Sequence, residues 1–146
     1  MSQMLEMYKM AGKEQFSQMV CQVAPYFSTI FPEFVELRPG RAEVLLRHRR
    51  EVTNHLGTIH AIAMCNAAEL VAGTMTDASI PTGARWIPKG MTVEYLAKAK
   101  TDLTAVADGS AVDWSAMGDI AVPVDLFDTA GNKVCAARIT MNVKAG

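Results

Sequence analysis

No two cysteines in this 146-residue chain stand at metal-binding spacing. Cys21, Cys65 and Cys135 are its three cysteines, far apart, and no CxxC or close Cys/His pair occurs. Neither a metal site nor a disulfide framework is therefore expected. An odd set of isolated thiols fits a reduced, cytoplasmic protein. Basic excess is also lacking. The net charge is -1, which argues against a nucleic-acid surface. The one dense basic run, Arg47-His48-Arg49-Arg50, reads either as a solvated strand end or as a phosphate contact. No uncharged apolar run reaches the roughly 18 residues of a membrane span. Met1 to Ala11 lacks the basic-then-apolar pattern of a secretory signal. No linker, repeat or low-complexity tract divides the chain, so one domain, 1–146, is expected.

What is present is two kinds of period. Ser2 to Val23 carries apolar residues at three- and four-residue spacing, a helical pattern, and Gly12 marks a break into two shorter helices. Pro25 ends it. The methionines Met1, Met4, Met7, Met10 and Met19 read as packing filler or as a pliable ligand wall. Alternation then takes over in Val35 to Arg38 and Ala42 to Arg47, with a turn at Pro39-Gly40. Glu51 to Ile59 is loop. Ala61 onward is an apolar helix ending near Asp77 to Ser79, with Thr58 expected as its N-cap. The rest is β: Ala84 to Lys100, where Pro88 and Gly90 point to an edge or a bulge; Leu103 to Ala107, with Ala111 to Trp114 as its continuation; Ile120 to Phe127; a turn at Asp128 to Asn132; and Lys133 to Val143. Helices first and antiparallel strands after make an α+β chain. Exposed sheet edges need cover, which a second copy could supply.

From Ala61 to Met75 the apolar helix holds one carboxylate, Glu69. An anion is costly to bury unpaired, so Glu69 is on an exposed edge, paired with a lysine, or kept for chemistry. Nine residues before it stands His60, at the end of Asn54-His55-Leu56-Gly57-Thr58-Ile59-His60. That loop resembles the asparagine-to-histidine loop of PaaI-like hotdog acyl-CoA thioesterases, N-x-x-G-x-x-H-G-G, in which a carboxylate follows nine residues after the histidine. The strand Thr92 to Leu96 and the closing hairpin Val124 to Ala136 are also similar to that family's. The resemblance runs from Val35 to Val143 and is nearest to the uncharacterised DUF4442 group.

This resemblance implies a hotdog fold, a long central helix wrapped by an antiparallel β-sheet, with residues 1–33 as an extra helical extension. It also implies a homodimer or a dimer of dimers, an acyl-CoA substrate, and no cofactor. Glu69 would be the general base or nucleophile, and Asn54 would position water or the substrate carbonyl. The backbone amide of Ala61, with Ile62, would form the oxyanion hole, because a helix N-terminus offers free N–H groups. His60 would orient the loop, His55 would stand at the pocket rim, and Gly57 would serve backbone geometry. Trp86 would line the acyl pocket or simply pack, as would Trp114. Lys89, Lys98 and Lys100 would meet CoA phosphates or remain solvated. One departure stands out: Ala61-Ile62 occupies the place of the family's Gly-Gly, so two Cβ atoms crowd the approach to those amides.

Helix geometry separates the two halves of this motif. Nine residues rise about 13.5 Å and turn about 900°, which puts Glu69 opposite His60. Two antiparallel copies of the helix would bring Glu69 of one subunit to Asn54 and Ala61 of the other. Two other functions stay open: a hotdog dehydratase or hydratase using His55 or His60, and a non-catalytic acyl-CoA binder.

Overall fold

The computed structural model describes residues 2–146; Met1 lies outside the described residues. Helices α1 (Gln3–Ala11) and α2 (Lys13–Val23) meet at Gly12, whose φ of 84° breaks the helical path as expected. Ser2 caps α1 by accepting a hydrogen bond from the Leu5 amide. A 3₁₀ turn, Pro25–Ile30, leads to strands β1 (Glu33–Arg38) and β2 (Arg41–Leu46). The long helix α3 spans Ala61–Ser79, and four strands follow: β3 (Arg85–Tyr95), β4 (Leu103–Asp108), β5 (Gly118–Phe127) and β6 (Lys133–Lys144).

The strands form one antiparallel sheet in the order β1-β2-β4-β5-β6-β3. It wraps α3, which is the hotdog arrangement. Small residues let helix and sheet approach closely. Ala67, Ala68, Val71, Ala72 and Met75 of α3 are buried against Val44, Ala105, Val122 and Ile139. Pro81 stops the helix: the residue before a proline is pushed out of the helical region, and Ile80 is extended at φ -70°, ψ 158°.

The two sheet edges differ. β3 is one of them, as Pro88 foretold, and its register slips between Pro88 and Gly90. β1 is the other, and α2 lies against it. The Ser17 hydroxyl accepts a hydrogen bond from the Phe34 amide at 2.9 Å. The Phe16 ring stands edge-on between Tyr8 and Phe34, with centroids 5.3 and 4.9 Å away.

Two local expectations fail. Ala111 to Trp114 does not continue β4. Asp108 accepts a hydrogen bond from the Ser110 amide, which turns the chain, and Trp114 folds back to donate its indole N–H to the Gly109 carbonyl. Thr58 is not the helix cap. Its amide and hydroxyl are engaged by Asn54, and His60 caps α3 instead.

The β5–β6 turn yields a stability prediction. Asp128 accepts from the Ala130 and Asn132 amides, and the bond from the Asn132 backbone, first, holds its carboxyl below the ordinary range. A depressed folded value stabilises the fold above the unfolded value of about 4 and is lost as pH falls through the folded one. Asp128→Ala should therefore lower Tm at pH 7, and its difference from wild type should shrink in melts below pH 4.

Candidate active site

The loop before α3 is built around Asn54. Its side-chain oxygen accepts from the amides of Leu56 and Thr58, and its Nδ2 donates to the Thr58 hydroxyl. One Nδ2 hydrogen has no acceptor among the described residues. Gly57 takes φ 78°, a left-handed turn position that glycine adopts without strain. The Gly57 carbonyl is 2.8 Å from Nε2 of His48, a brace that the sequence motif did not flag. His55 is exposed. At the loop's end His60 accepts the Ile62 amide on Nδ1 at 3.0 Å, so in the neutral ring the proton sits on Nε2. The Ile62 amide is thus spent on its cap, while the Ala61 amide has no acceptor among the described residues. The Ile62 side chain, where the motif has glycine, points to solvent and is 55% exposed. Replacing His60 with Ala should cost about 0.5–2 kcal/mol, the ordinary range for a lost N-cap, and Asn should restore most of it; urea melts would measure both.

Further along, α3 presents a stripe at three- and four-residue spacing: Ile62, Cys65, Asn66, Glu69, Gly73 and Asp77. A cavity of about 570 Å³ lies over its lower half, between α1, α2, α3 and β3, and Glu69, Leu70 and Trp86 form part of its wall. A cleft of about 190 Å³ shares Glu69 and Phe27 with that cavity and runs up the helix to Cys65, Asn66 and Ile62. A third, of about 180 Å³, carries Ile62 and Asn66 on to His60. Glu69 is half-buried and forms no salt bridge among the described residues. One chain therefore brings Glu69 together with Trp86 and with Ile62. Asn54, His55 and Gly57 line none of the three hollows.

Asn66 escaped notice in the sequence, although a carboxamide three residues before Glu69 in an apolar helix was a visible signal. Its orientation follows from bond counting. Thr29 donates its hydroxyl hydrogen to the Tyr26 carbonyl, so toward Asn66 it can only accept, and Nδ2 must face it at 3.2 Å. That leaves Oδ1 buried with no partner among the described residues, a cost of about 1–3 kcal/mol. Beside it, the Cys65 thiol lies 3.3 Å from the Tyr95 hydroxyl. That contact and burial push the Tyr95 phenol up to about 12.

The basic run serves structure. Arg47 pairs with Glu33, and Arg49 stacks 3.8 Å over the Phe31 ring. Lys89 pairs with Asp119. Trp114 packs on Gly109, away from the cavity. Among the described residues no cluster suits a metal, and no helix is long and apolar enough to cross a membrane.

The sequence model of one family, a domain of unknown function (DUF4442), matches residues 12–143. The chain belongs to the DUF4442 family. A solved protein, genomics APC5556, is 62% identical to this DUF4442 chain, covering 99% of it and 97% of its own length, with a TM-score of 0.91. More distant structures share its fold. Thioesterase HI1161 of Haemophilus influenzae is 14% identical over 82% of each chain, with a TM-score of 0.73. A thioesterase family protein of Silicibacter pomeroyi is 16% identical over 89% of this DUF4442 chain and 96% of its own, with a TM-score of 0.75. These confirm the hotdog architecture. No curated protein matches the sequence.

Proposed function

We infer that the chain is an acyl-CoA thioesterase whose site is completed by a second copy. The observation that carries this is Glu69: a half-buried carboxylate with no salt bridge and no side-chain hydrogen bond among the described residues, at the junction of a largely apolar cavity and a cleft, whereas Asp77, the other carboxylate of α3, accepts the Trp86 N–H. Such a group is suited to take a proton from water or to attack the thioester carbonyl directly. The developing oxyanion needs preorganised donors, and one donor typically contributes about 3–4 kcal/mol. The Ala61 amide at the positive end of α3, without an acceptor among the described residues, is the donor assigned here, with the remaining Asn54 Nδ2 hydrogen on the preceding loop as a second. His60 keeps that end ordered. Residues 1–146 act as one hotdog unit with 1–33 as its helical extension.

Ala61 and Glu69 are eight residues apart on one rod, so each site takes Glu69 from one subunit and Ala61 from its partner. Ile62, Ile87, Tyr95 and Leu96, on α3 and beside the β3 edge, are exposed apolar residues that a second copy would cover. The substrate is soluble and reaches the site from water in a cytoplasmic setting.

A non-catalytic binder is the competing function, favoured by one observation: the His60 ring already occupies the Ile62 amide that an oxyanion hole would share. Purified protein offered a panel of short, medium and aryl acyl-CoAs separates the two. Release of free CoA supports the hydrolase; saturable binding without release supports the binder. Hydration of an enoyl-CoA would instead assign the hydratase.

A further inference from the structure

We propose that the 570 Å³ cavity is the acyl subsite, that the N-terminal helices are its roof, and that it takes a medium-length unbranched acyl chain. The proposal rests on the placement of the thioester at Glu69. From there the acyl group has two ways to go. The cleft toward Ile62 is a third of the size and is walled partly by the Asn66 carboxamide, so it suits the polar arm of the carrier thiol. The larger cavity on the other side is walled mainly by apolar side chains, Met4, Met7, Val20, Val23, Leu70 and Trp86, with Gln3 and Asp77 as polar neighbours and the Asp77 carboxylate already accepting the Trp86 N–H. Its one hydroxyl, on Thr74, already bonds the Leu70 carbonyl at 2.8 Å.

The length of the subsite follows from α3. Its cavity-lining stripe runs from Glu69 to Asp77, eight residues or about 12 Å of helix. A carbon–carbon bond of about 1.52 Å advances an extended chain about 1.25 Å, so the stripe matches on the order of nine or ten carbons. Trp86 lies along the second half of that stripe, from Gly73 to Asp77, as a side wall and is fixed there. A Cβ on Gly73 would come within 2.9 Å of the Trp86 ring, so the ring lies directly on the helix backbone, and its N–H donates to Asp77 at 3.0 Å. The roof is softer. Met4 and Met7 are unbranched and can reshape around a chain. Trp86 is therefore the rigid side wall of the subsite, and the methionines of the roof adjust to the chain.

CoA thioethers carrying alkyl chains of four to sixteen carbons cannot be hydrolysed and test this directly. Titrated into the full chain by calorimetry, their affinity should rise about fourfold per methylene, then level off near ten carbons. Met7→Trp, which fills the roof, should move the plateau to shorter chains; Trp86→Ala, which removes the side wall over Gly73 to Asp77, should lower affinity for chains longer than about five carbons and spare shorter ones. Affinity independent of chain length, or a series that neither folded variant changes, overturns the subsite. The two assignments fail separately. A flat thioether series beside Glu69-dependent CoA release removes the subsite and keeps the hydrolase; a chain-length plateau without CoA release keeps the subsite and removes the hydrolase.

Discussion

Glu69→Gln should lower CoA release by about 10²- to 10⁴-fold, the range a positioned general base contributes, and leave the fold intact. The change is isosteric, and Glu69 forms no salt bridge among the described residues whose loss could unfold the chain. Circular dichroism and Tm should match wild type while the thiol-release rate collapses. A variant that keeps a tenth or more of the rate would remove Glu69 from the chemistry. The same substitution tests the shared site. Asn54→Ala breaks the loop that sets the start of α3 and should be inactive too. In a symmetric dimer each site would then take one residue from each chain. Equal mixing of the two inactive variants, with exchange, should restore about a quarter of wild-type activity. No recovery after proven exchange would mean that one subunit holds the whole site.

Phe16→Ala should cost about 3–5 kcal/mol, the range for truncating a buried aromatic, and lower Tm by about 10 °C or more. Phe16 is fully buried and joins α1, α2 and β1 through its two edge-on ring contacts. A single cooperative melt shifted downward would show that residues 1–33 belong to the same folding unit as the sheet. An unchanged main transition would make the extension an appendage. The chain-length preference should weaken together with Tm, because α1 and α2 wall the cavity.

Much of this architecture was legible because local physics and tertiary structure agree. Gly12 split the N-terminal helix, Pro88 marked an edge strand, and two β-rich runs flanking the Asp128 to Asn132 turn gave β5 and β6. The failures came where a side chain acted outside its common role. Histidine is not among the usual N-cap residues, so Thr58 took the cap in the sequence and His60 takes it in space. Ala111 to Trp114 reads as a strand resumed after an interruption at Asp108-Gly109, but the Asp108 turn and the Trp114–Gly109 bond override it. The carboxylate and the loop were visible through their spacing. The cavity and the orphaned Asn66 oxygen were not, since both arise where α1, α2, the 3₁₀ turn and α3 converge from distant parts of the chain.

The bond from the Phe34 amide to Ser17 bears on assembly size. Strand addition needs free main-chain donors and acceptors along an edge. On β1 one donor is spent on α2, and Glu33, Glu36 and Arg38 place charge along the remainder. The eleven-residue β3 edge carries no such helix. Among the described residues β3 is therefore the edge more open to strand addition, and two copies joined there would leave only the partly covered β1 edges outward. Such a pair would terminate rather than propagate, and a larger assembly would form through helix surfaces instead of extended β-structure.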